Sequence, residues 1–284
     1  MSGFFKITDD FEAIIKGTVK DIVGISKIPT GWTNYVFKAV TKTNHAYVFR
    51  FPRNNFFAKA LEKEIIFAKF IKDKINFATV NLEYKEHKGR GYSVHSFIDG
   101  FSLTEAYPLM NAQQKRILAR DVAAYIATMQ KVGDSLLASK IPAPCALPKF
   151  SDFLIGLAAV NSDPNYNYME IFAPLLAQEK ACNFLVHGDL NPGNIVVDKN
   201  YKMIAVLDYA FVSYSCNLID LACTTARLPR DFRDIMIKEF EIATKTTVSG
   251  SELDALINIR FEVEMDYIRY MAVHHPDVEL PSLQ

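Results

Sequence analysis

The chain has 284 residues, half of them hydrophobic and 23% charged, and its 32 Lys and Arg residues balance its 32 Asp and Glu residues. This composition is typical of a folded protein that is large enough for one big domain or two compact lobes. No apolar run approaches the roughly 20 residues that a membrane-spanning helix needs, and no basic cluster has the density that nucleic-acid binding requires.

The N-terminal stretch has early acidic residues and lacks the apolar core of a signal peptide. The cysteines, among them Cys145, show neither paired spacing nor a nearby histidine at zinc-ligand distance, which fits reduced, buried thiols. We therefore expect a cytoplasmic protein that binds neither nucleic acid nor a membrane, and that is a monomer or a dimer.

Charge is distributed unevenly along the chain. Residues 1–150 carry 22 Lys and Arg against 13 Asp and Glu, a difference of +9, whereas residues 151–284 carry 10 against 19, a difference of −9. A basic half joined to an acidic half would suit a site that holds an anionic ligand against a cationic one. Chance partition of surface charge explains the asymmetry equally well.

The first hundred residues have the pattern of strands around one helix. Residues 32–40 and 45–51 are rich in β-branched and aromatic side chains, which is typical of strands. Residues 59–74 carry apolar side chains at helical spacing, and residues 91–98 form a further strand that ends at a turn dipeptide, Asp99-Gly100. The pattern predicts a first lobe over residues 1–98.

Beyond this turn the pattern becomes mainly helical. Asn111 followed by Gln114 resembles a capping box and predicts the start of a long helix. Three short apolar runs, FLV, IVV and MIAVL, are too short for helices and predict strands, and the tail from Asp231 is helical again. A helical second lobe over residues 99–284 with a small inserted sheet implies an α+β architecture.

The segment with most chemical information is HGDLNPGN at residues 187–194, followed by Asp208 at the end of another apolar run. Phosphoryl transfer needs a carboxylate to orient the attacking hydroxyl and oxygen ligands to hold Mg²⁺ on the phosphates. Asp189 and Asn194, separated by a tight Pro-Gly turn, can supply the base and a ligand. Asp208 from a neighbouring strand would complete the metal site.

HGDLNPGN with the later LDY resembles the signature of the aminoglycoside phosphotransferase and choline kinase superfamily, distant relatives of protein kinases. The resemblance implies a protein-kinase-like two-lobed fold with a small catalytic hairpin. It implies that Asp189 is the catalytic base and that Asn194 and Asp208 bind Mg²⁺. His187 would brace the loop, and Asp220, twelve residues beyond Asp208, would support the site from the start of a helix.

The first lobe contains further positions of the family pattern. In the motif VFRFP, Arg50 takes the place of the cation that grips the nucleotide phosphates. The resemblance implies an acidic partner in the following helix, for which we favour Glu64 over Glu62 because Glu64 flanks the apolar stripe.

Two further assignments depend on alignment with the family alone. Gly31 falls in the loop that covers the phosphates, although it could equally be an ordinary turn glycine. The backbone of Ser96 and Ile98 falls at the hinge that contacts the nucleotide base, with ATP or GTP as the donor. One departure is also visible: relatives often read Gly-Asp-Pro where this chain has Ser215-Cys216-Asn217, so an acidic residue is missing there.

The acceptor is predicted to be a small molecule, because the sequence has neither D-F-G nor A-P-E and leaves no room for a regulated activation loop. Glu262 and Asp266, with Tyr270 beside them, share a helix face in the acidic half. Late carboxylates, including Asp277, therefore predict a cationic acceptor of the aminoglycoside type. A choline, ethanolamine or thiamine kinase and a nucleotide-binding pseudokinase are the alternatives.

Overall fold

The computed structural model describes residues 4–29, 31–75, 81–138, 147–161 and 167–275, together with the backbone of residues 78 and 79. Thr30 of the predicted phosphate loop, Cys145 with its proline-rich surroundings, and Asp277 lie outside the described residues. Within the described ranges, every helix is too short or too polar to cross a bilayer.

The first lobe is built on a five-stranded antiparallel sheet with the order β1-β2-β3-β6-β5. Its strands are β1 (Ile22–Ile28), β2 (Asn34–Thr41), β3 (Ala46–Pro52), β5 (Glu83–His87) and β6 (Arg90–Ser96). The sequence predicts β2, β3 and β6. It does not reveal β5, because the side chains of EYKEH are almost all exposed at the edge of the sheet and show no apolar alternation.

Strand β3 separates the core of this lobe from the cleft. Phe49 and Phe51 are fully buried against helix α1 (Phe11–Thr18), and the ring of Phe51 lies 4.9 Å from that of Phe5. Because successive side chains of a strand point to opposite faces, Arg50 between them faces the other side of the sheet. The aromatic core thus fixes the strand that presents Arg50.

Helix α2 (Asn55–Ile71) packs across this second face. The side chain of Asn54 caps its N-terminus by accepting a hydrogen bond from the amide of Phe57 at 3.0 Å. The apolar stripe predicted from the sequence is buried, with Leu61 and Ile65 in one cluster.

The second lobe is mainly helical. Its described helices are α3 (Leu103–Ala106), α4 (Ala112–Ala138), α5 (Phe150–Asn161), α6 (Tyr168–Ile171), α7 (Ala173–Ala181), α8 (Ile219–Thr225), α9 (Arg230–Thr244) and α10 (Gly250–His274). The predicted capping box precedes α4, since Asn111 and Gln114 exchange side-chain bonds with each other's backbone amides at 3.0 and 2.9 Å. These helices surround one large apolar core.

Two small sheets carry the loops of the candidate site. One has the order β4-β10-β9-β7 and the other pairs β11 with β8. Their strands are β4 (Ala78–Thr79), β7 (Phe101–Ser102), β8 (Phe184–Val186), β9 (Ile195–Val197), β10 (Met203–Val206) and β11 (Ser213–Ser215). Since β4 pairs in parallel with β10, a strand that precedes residue 98 joins the sheet of the second lobe. The division at residue 98 stays a prediction.

Candidate active site

The loop at residues 187–194 connects β8 to β9, and His187 ties it to the end of β10. The fully buried ring receives a hydrogen bond from the amide of Asp189 at Nδ1 (3.3 Å) and donates through Nε2 to the carbonyl of Leu207 (3.0 Å). Burial lowers the pKa of His187, so the ring is neutral and can make one bond of each kind.

Asp220, in the first turn of α8, holds the same loop from the opposite side. Its fully buried carboxylate accepts hydrogen bonds from the backbone amides of His187 and Gly188, each at 2.9 Å. Burial raises the pKa of Asp220, and the two amides oppose that effect. One side chain therefore satisfies two buried backbone donors immediately before Asp189.

Gly188 has no tolerance for a side chain. Its φ angle is +80°, and an added Cβ would lie 2.4 Å from the carbonyl oxygen of Phe211. Because the clash is with backbone, it can be relieved only if the loop moves away from the 3₁₀ turn at Tyr209–Phe211.

We expect Gly188→Ala to destabilise the protein by more than 3 kcal/mol, roughly the combined cost of a left-handed alanine and a steric clash. Gly89→Ala is the matched control, because Gly89 has a φ angle of +73° but no atom within 4 Å of its added Cβ. Strain alone should cost that variant about 1 kcal/mol. Urea unfolding of both variants measures the difference, and equal losses would refute the steric argument.

Asp189 precedes a short 3₁₀ turn, Pro192–Asn194, and Asn194 is the last residue of that turn. The side-chain nitrogen Nδ2 of Asn194 donates to the backbone carbonyl of Asp189 at 2.8 Å and to the carboxylate oxygen Oδ2 of Asp189 at 3.2 Å. The other oxygen, Oδ1, accepts a bond of 2.6 Å from Nη2 of Arg260 in α10. Burial raises the pKa of Asp189, and the charge of Arg260 opposes it.

Arg50 bridges two carboxylates across the cleft. Its Nη1 lies 2.7 Å from Oε1 of Glu64, and its Nη2 lies 3.1 Å from Oδ1 of Asp208. Glu64 is fully buried and also accepts from the amide of Tyr209 at 3.2 Å, whereas Glu62 is exposed. Burial raises the pKa of Glu64 to about 7 against the opposing charge of Arg50. Burial also disfavours the charge of Arg50, but Asp208 and Glu64 outweigh it and raise the pKa of the guanidinium.

These groups meet in a cleft of about 620 Å³. The predicted site residues that line it are Gly31, Arg50, Asp189, Asn194 and Asp208. Gly31 lies at the entrance to β2, where an added Cβ would be 2.5 Å from the carbonyl oxygen of Asn34.

Asn194 and Asp208 fit a magnesium site. The side-chain nitrogen of Asn194 donates to Asp189, so the side-chain oxygen of Asn194 is left as a ligand. Asp208 adds a carboxylate that borders the cleft. Within the described residues no group of three or more His, Cys, Asp or Glu side chains is arranged for a metal. Mg²⁺ in phosphotransferases commonly takes one or two protein oxygens and completes its shell with phosphates and water, so this small donor set suits it.

The side chains of the residues predicted for the hinge make their contacts elsewhere than in the cleft lining. The hydroxyl of Ser96 contacts Nε2 of His45 at 3.2 Å, and Ile98 packs beside the apolar cluster under α2. Neither side chain lines the cleft, and the role predicted for their backbone stays a prediction.

The structure places the three residues predicted to bind the acceptor outside the lining of the cleft. None of Glu262, Asp266 and Tyr270 lines the cleft, and Asp266 is buried where it accepts a bond of 3.0 Å from the hydroxyl of Tyr168. A different stripe of α10 lines it instead, which the sequence analysis missed. Its members are Arg260, Phe261, Val263, Glu264 and Tyr267. The spacing of Arg260, Glu264 and Tyr267 is that of one helix face, but the pattern does not say which face of α10 turns inward.

Ser215-Cys216-Asn217, which lacks the acidic residue common in relatives, contacts a carboxylate from elsewhere in the chain. The hydroxyl of Ser215 donates to the buried carboxylate of Glu179 in α7 at 2.6 Å. Ser151 also contacts this carboxylate through its hydroxyl and through its amide. Glu179 thus joins β11 to α5 and α7, in a position that serves the packing of the lobe.

Around one cleft the structure brings together a carboxylate on a polar loop, two further side chains with oxygen atoms, and an arginine paired with a buried glutamate. The model of the phosphotransferase enzyme family, APH, matches residues 24–253, and the chain belongs to this family. The family resemblance and the α+β kinase-like fold predicted from the sequence are thereby confirmed.

Solved structures of similar fold are aminoglycoside and macrolide phosphotransferases. The GDP complex of an aminoglycoside 2'-phosphotransferase-IIIa has a TM-score of 0.69 at 14% identity, covering 94% of this chain and 93% of that one. An aminoglycoside-3'-phosphotransferase of type VIII has a TM-score of 0.68 at 14% identity, with 91% and 98% covered. A macrolide 2'-phosphotransferase from Brachybacterium faecium has a TM-score of 0.61 at 13% identity, with 97% and 100% covered. A sequence search of curated proteins finds no match.

Proposed function

We propose that this protein transfers the γ-phosphoryl group of ATP or GTP to a hydroxyl of a small molecule, with Mg²⁺ as cofactor. The observation that carries the proposal is the convergence of Asp189, Asn194 and Asp208 on one cleft, with Arg50 tied to Asp208. Similar structures that contain GDP, or ATP together with streptomycin, support a nucleotide donor and a small acceptor.

In the proposed reaction the acceptor hydroxyl lies against the carboxylate of Asp189. The hydroxyl oxygen forms a bond to the γ-phosphorus, the bond from that phosphorus to the β–γ bridging oxygen breaks, and the hydroxyl proton passes to Asp189. Asn194 and Asp208 would hold Mg²⁺, which neutralises phosphate charge when bound. Asn194 also orients the base through its amide nitrogen.

Arg50 is proposed to bind the nucleotide phosphates. An arginine suits this position because its planar fork reaches Glu64 with one nitrogen and Asp208 with the other. A lysine ammonium is a single point charge on a flexible stem and could not span both carboxylates in this way. The position of the phosphate-binding cation is therefore fixed from two sides.

The nature of the acceptor is a separate question. The negative second half of the sequence predicts a cationic acceptor, and this stays a prediction. The acceptor side is the part of the cleft lined by Asp189, Arg227, Arg260 and Glu264. Its carboxylates do not favour a cationic acceptor, because Asp189 is paired with Arg260 and Glu264 is paired with Arg227.

An acceptor screen tests the proposed function. Nucleotide consumption is measured with Mg²⁺ and either ATP or GTP against aminoglycosides, choline, ethanolamine, thiamine, sugars and hydroxy acids. We expect consumption that depends on one acceptor class and is abolished when EDTA removes the metal. Saturable Mg-nucleotide binding without turnover of any acceptor would instead favour the pseudokinase alternative.

A further inference from the structure

The acceptor side of the cleft carries a pair of arginines that the proposed chemistry does not require. Arg260 lies in α10, and Arg227 follows the C-terminal end of α8. Both line the cleft beside Asp189, as do Glu264 and Tyr267 from the same face of α10 as Arg260. The hydroxyl of Tyr267 donates to the carbonyl of Trp32 at 3.0 Å, which holds this face of α10 against the first lobe.

Each carboxylate on this side already has an arginine partner. Nη2 of Arg260 lies 2.6 Å from Oδ1 of Asp189, and the side chains of this pair are 15% and 19% exposed. Nε of Arg227 lies 3.2 Å from Oε2 of Glu264, and Nη2 of Arg227 contacts the other oxygen of the same carboxylate. A cationic acceptor would have to share each acid with an arginine, whose positive charge would repel it.

Arg227 and Arg260 line the same cleft, and the charge of Arg260 acts on Arg227. Burial lowers the pKa of Arg227, and the nearby charge of Arg260 lowers it further, so like charges have been brought together beside the base. A guanidinium carries more N–H donors than one carboxylate uses, and planar oxyanions match its geometry. An oxyanion between Arg227 and Arg260 would relieve their repulsion without breaking either existing pair.

We propose that the acceptor carries a carboxylate or phosphate group near its reactive hydroxyl, and that Arg227 and Arg260 bind this oxyanion. The proposal rests on the proposed function, because it names the acceptor class of the same site. Arg260 sets the distance between the oxyanion and the reactive hydroxyl of the acceptor. Its guanidinium contacts Asp189, so when an oxyanion binds to Arg260, a hydroxyl a few bonds away lies within reach of the base.

Direct binding measurements test the proposal with the nucleotide site filled by Mg²⁺ and a non-hydrolysable ATP analogue. The six-carbon probes are gluconate, glucose 6-phosphate, glucose and glucosamine, and the three-carbon probes are glycerate, glycerol 3-phosphate and glycerol. We expect saturable calorimetric binding of an anionic probe and at least tenfold weaker binding of its neutral counterpart. Comparing gluconate and glycerate with the phosphate esters distinguishes a carboxylate site from a phosphate site.

Variants connect this binding to the arginines. Arg227→Ala should weaken binding of the anionic probe about tenfold or more, as expected for the loss of a charge-assisted hydrogen bond, and Arg227→Lys should restore part of it. Arg233→Ala is the matched control, because Arg233 pairs with Asp254 between α9 and α10 and does not line the cleft. Unchanged affinity for the Mg-nucleotide shows that each variant is folded.

The outcomes separate this inference from the function on which it rests. Preference for glucosamine over the anions, unaffected by Arg227→Ala, overturns the oxyanion site while phosphoryl transfer to a cationic acceptor stands. The absence of saturable binding by every anionic probe also overturns it. Failure of the proposed function would be recognised differently, by nucleotide binding without acceptor-dependent consumption in the screen.

Discussion

We expect Asp189→Asn to lower turnover by about 10²–10⁴-fold, the usual contribution of a positioned general base. Asparagine has the same shape, and its amide oxygen can still accept a bond from Arg260, so the loop should keep its conformation. It cannot take the hydroxyl proton. Nucleotide affinity should change little, because the groups proposed to hold the phosphates and metal are Arg50, Asn194 and Asp208.

Steady-state turnover and calorimetric binding of Mg-nucleotide, measured on the same preparations, check this expectation. Asp234→Asn is a suitable control, because Asp234 is exposed on α9 and outside the cleft. It should retain normal turnover. A variant at Asp189 that kept near-full turnover would show that another group acts as the base.

A large loss of stability is expected at Asp220. Asp220→Ala leaves the buried amides of His187 and Gly188 without their acceptor, at a cost of about 1–3 kcal/mol for each unsatisfied donor. Removal of a buried charge offsets part of this loss, because burial already raises the pKa of Asp220. We therefore expect a net destabilisation of about 2–5 kcal/mol.

Denaturant unfolding gives the measurement, and a second substitution makes it sharper. Asp220→Asn keeps one acceptor oxygen and should lose about half as much stability as Asp220→Ala. Asp234→Ala, which removes an exposed carboxylate from a helix, should stay within about 0.5 kcal/mol of the parent. If Asp220→Ala cost no more than Asp234→Ala, the clamp on the loop would be unimportant for folding.

The sequence predicts the proximity of Asp189 and Asn194 well because their contacts are local. Asp189 and Asn194 are five residues apart, so the short turn between them suffices to bring their side chains together. Strands such as β3 and β6 are also visible in the sequence, since their apolar faces are buried. Edge strand β5 is not visible, because its exposed polar residues have the composition of a loop.

The face of α10 that lines the cleft could not be predicted in the same way. Arg260 contacts Asp189 across 71 residues, and this contact depends on how α10 rotates as it packs on α5, α7 and α8. Helical spacing gives several possible faces for α10, and packing selects among them. In the sequence, Glu262 and Tyr270 have the acidic and aromatic character expected of a face that binds a cation. In the structure, neither residue lines the cleft.

The contacts of Arg50 have a mechanical consequence. Arg50 and Glu64 belong to the same sheet-and-helix unit, whereas Asp208 follows β10 in the β9–β10 hairpin. A tilt of the five-stranded sheet relative to that hairpin would lengthen the 3.1 Å contact to Asp208 while leaving the 2.7 Å contact to Glu64 intact. The simultaneous contact of Arg50 with both acids therefore depends on the relative placement of the five-stranded sheet and this hairpin.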